Sequence, residues 1–271
     1  MIERILPDRV AVAWTGEDVP DSELLPEEAA LVSAAVESRR REFATVRSCA
    51  REALGALGLP PVAVLRGPRG EPRWPEKVVG SMTHCSGYRA AAVAAAGEVH
   101  ALGIDAEPNL PLPHGVLEAI ARAEELPRLR RLKAVTSGGF GAAAVSCDRL
   151  LFSAKESVYK AWFPMTGLPL DFSEASLEFT PLGTFTARLL VPGPLYDGSR
   201  LQSFRGRWLA AGGFVFTSVV VPGLPANRPD ETVPLAGVHQ ISTSASTRGG
   251  VRYTVRRRLR ASDRAAEGLA D

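Results

Sequence analysis

An α+β fold built from two pseudo-symmetric α/β halves is the architecture the sequence predicts, on three observations. Residues 26–58 carry a helical spacing of apolar residues, and residues 81–107 then read as strands. The same order, helix then strands, returns over residues 116–163 and 174–221. The 271-residue chain is 45% apolar and 23% charged, a balance that supports a packed core and argues against global disorder.

The N-terminal segment MIERILPDRVAVAW carries charges among its apolar residues and lacks the shape of a signal peptide. No uncharged apolar run reaches about 18 residues, so no membrane span is expected. Cys49, Cys85 and Cys147 are scattered, with no CxxC pair. They read as small packing residues of a cytoplasmic protein.

Pro26, Glu27 and Glu28 suit the first turn of a helix over 26–58, and Gly55, Gly58 and Pro60-Pro61 stop it. Residues 66–80, RGPRGEPRWPEKVVG, read as a Gly/Pro loop. SMTHCS, YRAAAVAAA and HALGIDAE read as three strands, with a turn near Gly97-Glu98. PNLPLPHG, 108–115, is an extended linker and a candidate boundary. Helices are expected over 116–133 and 148–163, with a loop at 136–146. ASLEFT, TFTARLLV, RWLAAG and FVFTSVVV read as strands. The predicted organisation is an N-terminal half, 1–110, a C-terminal half, 111–225, and a tail, 226–271.

The basic residues are 28 arginines and only 4 lysines, for a net charge of +2. The tail carries +3 of that and the body −1, so the body is not a basic nucleic-acid-binding domain. Arg256, Arg257, Arg258 and Arg260 lie among small polar residues. The tail therefore reads as a solvated, poorly packed extension, dispensable for activity.

Four clusters carry candidate chemistry. Asp105 and Glu107 in GIDAE stand at i and i+2, so on a strand both carboxylates share a face. They are either two surface acids or oxygen ligands for a hard cation. Glu156 and Lys160 in SAKESVYKAW are four apart on one helical face, beside Lys155. They are either a solvated ion pair or a further metal ligand, or a base, beside a phosphate-binding lysine. Thr83-His84 ends a strand and lies near Arg66 and Arg69 in sequence. A lone histidine there is ordinarily structural, and the arginines hint at an anion site. Arg39, Arg40, Arg47 and Arg51 form a helical stripe that is either solvated or a phosphate-binding face.

The order and joint spacing of REFATVRSCAREAL, GEPRWP, GSMTHCSGYRAAAV, GIDAEPN and FSAKESVYKAWFPMTGLPLDF resemble the 4′-phosphopantetheinyl transferases, of the monomeric, broad-specificity actinobacterial type. The resemblance covers residues 24–221. It implies transfer of phosphopantetheine from coenzyme A to a serine of an acyl or peptidyl carrier protein, with Mg²⁺ or Mn²⁺, in a cleft between the halves. By resemblance the metal is held by Asp105, Glu107 and Glu156, with the Ala106 carbonyl as a further ligand. Glu156, Lys160 and Asp105 carry the catalysis. By the same resemblance coenzyme A is held by Arg39, Arg47, Arg66, Gly67, Pro68, Arg69, Thr83, His84, Asp105, Lys155, Glu156, Lys160 and Leu170. Phe152 stands where the family motif has Trp, and Arg66 and Arg69 where some relatives have Lys. The rival readings are another coenzyme A-dependent acyltransferase, which needs no metal, and a non-catalytic binder of nucleotides or acidic proteins.

Overall fold

The structure, a computed structural model, describes residues 1–136, 144–224, 241–248 and 250–258. In chain order it places β1 at Ala11–Thr15, helices α1 at Pro26–Ala30 and α2 at Glu37–Ala56, and a two-residue ribbon, β2 at Leu65–Arg66 with β3 at Pro72–Arg73. Strands β4 (Val78–Cys85), β5 (Tyr88–Ala95) and β6 (Val99–Pro108) follow, then helices α3 (Val116–Ile120), α4 (Glu125–Thr136) and α5 (Cys147–Thr166). Next come β7 (Ala175–Thr180), β8 (Thr184–Leu189), a ribbon of β9 (Leu195–Tyr196) and β10 (Ser199–Arg200), β11 (Ser203–Ala211) and β12 (Phe214–Pro222). Last are β13 (Ile241–Arg248) and β14 (Val251–Arg258).

The α+β architecture is observed as two five-stranded antiparallel sheets. One runs β13-β14-β1-β5-β4 and the other β6-β12-β11-β8-β7. A 20-residue helix packs on each: α2 on the first, α5 on the second. The division predicted at residue 110 does not follow the sheets. β6 pairs along its length with β12, from Val99 to Pro108, so the GIDAE strand belongs to the second sheet.

The helix expected over 26–58 is interrupted between residues 31 and 36. The cause is a buried ion pair. Arg51 Nη1 donates to Glu28 Oε2 at 2.7 Å, and the Val64 N–H donates to Glu28 Oε1. In one continuous helix, residues 28 and 51 would stand about 35 Å apart, so the chain must fold back to join them. Part of the loop expected at 136–146 lies outside the described residues.

The tail is the clearest correction. Where a solvated extension was expected, residues 241–248 and 251–258 form a hairpin that completes the first sheet, β14 pairing with β1. Val251, Tyr253 and Val255 alternate inward against α2. Arg256 is buried, and its guanidinium donates to the carbonyls of Glu3, Leu6, Pro7 and Val10. The basic charge is thus absorbed by backbone oxygens. The rest of the tail lies outside the described residues.

The two sheets meet edge to edge at β4 and β6, joined by side chains instead of a backbone ladder. The Ser81 hydroxyl accepts from the Ile104 N–H at 3.0 Å, and the Thr83 hydroxyl from the Ala106 N–H at 3.1 Å. Above this seam α5 lies directly on β6. Gly103 permits the approach, because a Cβ there would sit 1.9 Å from the Ser157 carbonyl oxygen. The helix ends where Gly167 adopts φ 65°.

Candidate active site

A cleft of about 860 Å³ opens over this seam. From the first half it is lined by Arg39, Arg47, Arg66, Pro68, Arg69 and His84, and from α5 by Glu156, Tyr159, Lys160 and Phe163. Five cations and two carboxylates, Glu71 and Glu156, face it, so its lining is strongly positive. Arginines 47 and 66 sit over the Phe43 ring, at 3.8 and 4.8 Å from its centroid, which holds both guanidinium planes in place. Burial, then Arg66, lowers the Arg47 guanidinium to about 10, so it stays cationic at neutral pH.

Lys160 and Asp105 pair within the second half, and Thr83 reaches Asp105 from the first. The ammonium donates to Asp105 Oδ1 at 2.7 Å and to the Ile104 carbonyl at 3.2 Å. The Thr83 hydroxyl donates to the same Oδ1 at 3.1 Å. Asp105 is buried, and its Oδ2 has no hydrogen-bond partner. Glu107, two residues on, accepts from Arg149 Nη1 at 3.1 Å. Burial and the Asp105 charge push the Glu107 carboxyl up, against the pull of Arg149. Burial likewise raises Glu156, with Lys160 opposing and Asp105 adding to the rise. The three carboxylates thus feel one another through Asp105. Among the described residues, no three His, Cys, Asp or Glu side chains form a metal-binding group.

At the other end, Arg39 Nη1 stands 3.2 Å from His84 Nε2, and His84 Nδ1 lies 3.2 Å from Glu42 Oε1. Arg39 also donates to Glu42 at 2.5 Å. Burial lowers the His84 imidazole; Glu42 raises it, and Arg39, Lys160 and Arg89 lower it further.

Several expected ligands lie elsewhere. Lys155 is buried away from the cleft, with its ammonium donating to Glu125 at 3.0 Å and to the carbonyls of Phe172 and Ala175. It ties α5 to α4 and β7. The Thr83 hydroxyl is spent on Asp105 and the β4–β6 seam, so it does not line the cleft. Leu170 packs against the core of the second half. Gly67 is not among the lining residues, although Arg66, Pro68 and Arg69 are. Ala106 is fully buried, opposite Phe216 in the ladder. The sequence reading passed over Arg149, Glu42 and Trp74. Trp74 donates from its indole to the Gly80 carbonyl and lines the cleft beside β4. Its place in GEPRWP was the only available signal. The cysteines are buried and free, and burial raises Cys85 to about 12 and Cys147 to about 11, so neither is a thiolate at neutral pH.

Fold and cleft define a two-sheet α+β protein with a strongly positive cleft over the seam between its halves. The 4′-phosphopantetheinyl transferase N-terminal domain matches residues 27–94 and the 4′-phosphopantetheinyl transferase superfamily residues 101–211, and the chain belongs to this family of enzymes. It is 54% identical over 241 residues to the 4′-phosphopantetheinyl transferase Svp of Streptomyces mobaraensis, spanning 88% of this chain and 95% of that protein. It is 47% identical over 228 residues to Npt of Nocardia iowensis, spanning 81% and 99%. Against PptT of Mycobacterium tuberculosis the identity is 43% over 230 residues, spanning 82% and 98%. No helix among the described residues is long and apolar enough to cross a membrane.

Proposed function

We propose that the cleft binds coenzyme A and that this chain, as a monomer, moves the 4′-phosphopantetheine arm to a serine of an acyl or peptidyl carrier protein, with release of 3′,5′-ADP. The observation that carries this reading is the cleft's five cations, with Lys160 and Glu156 at the end where Asp105 lies. Such a lining suits the roughly four negative charges of coenzyme A.

The residues near Asp105 fit a divalent metal in their chemistry. Asp105 Oδ2 is a buried oxygen without a donor, and burial, with the Asp105 charge adding to it, holds the Glu107 and Glu156 carboxyls up, a cluster of acids that a divalent cation would neutralise. These three would hold Mg²⁺ or Mn²⁺, which supplies neutralisation of the pyrophosphate. Lys160 binds the oxygens of the transferring phosphoryl group. Glu156 takes the proton of the carrier serine as its oxygen forms the new P–O bond and the bond to 3′,5′-ADP breaks. Arg39, Arg47, Arg66, Arg69 and His84 orient the nucleotide and its 3′-phosphate. Thr83 and Lys155 act instead through Asp105 and through the seating of α5.

The test is intact-protein mass spectrometry of an apo carrier protein incubated with this protein, coenzyme A and Mg²⁺. Parallel reactions contain EDTA, or a carrier with its acceptor Ser replaced by Ala. A phosphopantetheine-sized mass gain that needs both metal and serine is expected. An acyl-sized gain from an acyl-coenzyme A without metal would identify an acyltransferase. Coenzyme A binding with no transfer to several carriers would identify a binder.

A further inference from the structure

Glu42 stands behind the nucleotide end of the cleft. It does not line the cleft, yet its carboxylate meets three groups that define that end. Oε1 lies 3.2 Å from His84 Nδ1, Oε2 lies 2.5 Å from Arg39 Nη1, and Arg89 Nη2 lies 3.9 Å from Oε1. Arg89 is held from behind by Asp18, whose Oδ1 and Oδ2 both lie within 3.1 Å of the guanidinium. Asp18 also accepts from Thr45 on α2. A chain of charges therefore runs from the β1 side of the sheet through Asp18, Arg89 and Glu42 to His84 and Arg39. Only its last two members line the cleft.

We propose that Glu42 is a positioning residue for the 3′-phosphate of coenzyme A: it fixes the His84 ring with Nδ1 inward and Nε2 outward, and holds Arg39 beside it. The inference rests on the proposed function, in which His84 and Arg39 receive that phosphate. The physical need is plain. Arg39 Nη1 and His84 Nε2 approach at 3.2 Å: with Nδ1 turned to Glu42 the neutral ring accepts from Arg39, and once a phosphate draws a proton onto the ring the two adjacent cations need a carboxylate beside them. Glu42 is the acid that contacts both. A histidine whose Nδ1 hydrogen bond is fixed presents Nε2 in one orientation, as carboxylate-held histidines do in metal and triad sites. An alternative role as a plain structural acid predicts equal damage to every substrate.

The test compares coenzyme A with 3′-dephospho-coenzyme A, which lacks only the phosphate in question, for wild type, Glu42→Ala, Glu42→Asp and His84→Ala. Glu42→Ala should raise the coenzyme A KM about tenfold, with kcat within about twofold and the dephospho-coenzyme A KM unchanged. Glu42→Asp should recover part of the loss. An equal rise in both KM values, or a coenzyme A KM that is unchanged or lowered, would overturn the inference. His84→Ala separates the two readings. If it discriminates between the substrates and Glu42→Ala does not, the role of Glu42 alone falls. If His84→Ala does not discriminate either, the 3′-phosphate site itself is misplaced, and the inference falls with it.

Discussion

Asp105 pairs with Lys160 at 2.7 Å and Glu107 with Arg149 at 3.1 Å, while Glu156 has no ion pair within 4 Å among the described residues. That inequality assigns different consequences to their loss. The Glu156 carboxyl is raised above its ordinary 4.5, so the folded protein binds the proton more tightly than the unfolded chain. Stability contributed by this group is therefore present at low pH and lost as pH rises from about 4.5 through the raised value. Glu156→Gln should be at least as stable as wild type at pH 8 in thermal denaturation, with the difference closing in acid. Its transfer rate should fall about 100-fold or more. His84 shifts the other way. Its folded-state pKa lies below 6.5, so stability is lost as pH falls below that value. A bound phosphate draws the proton back, so coenzyme A binding at pH 6.5 should take up protons, read by calorimetry in buffers of different ionisation heat. His84→Ala should take up fewer.

Among the elements, α5 and β6 were plainest in the sequence. The spacing of Lys155, Glu156 and Lys160 fixed a helix, and GIDAE alternates as a strand that sends Asp105 and Glu107 to one face. What no local pattern could reveal was the partner of each polar group. Lys155 reads as a ligand because it neighbours Glu156 in sequence. Successive residues on a helix point about 100° apart, however, and Lys155 turns to Glu125 at the start of α4. Both side chains are 1% exposed. Lys155→Met should leave Glu125 charged and buried, at a cost of about 3–5 kcal/mol in denaturant unfolding. Mutating both partners to apolar residues of similar size should recover much of that loss. A KM effect on coenzyme A without loss of stability would restore Lys155 to the cleft. Thr83 turns elsewhere for a related reason. Its place beside His84 suggested a phosphate contact, but on a strand neighbours face opposite ways, and Thr83 turns to the seam between β4 and β6.

At the scale of the molecule, the two-fold recurrence of helix and strands was legible, and the closure of the first sheet was not. Val251, Tyr253 and Val255 alternate as a half-buried strand should, and Gly250, at φ 78°, marks a turn before them. The surrounding arginines masked that signal, because charge was read as solvation when Arg256 was in fact satisfied by four carbonyls. Removal of residues 241–271 should therefore lower the Tm by several degrees or more, and activity should fall with the folded fraction. Tyr253→Ala alone should cost about 3 kcal/mol, since its side chain is fully buried against α2. The closing strand also sets an order on folding. Arg256 and the carbonyl of Leu6 that it holds are 250 residues apart. On a translating ribosome β1 emerges early and must wait, its outer edge open to any passing strand, until β14 has cleared the exit tunnel. Synthesis rate and chaperone supply should then govern the yield of native enzyme more than its final stability does.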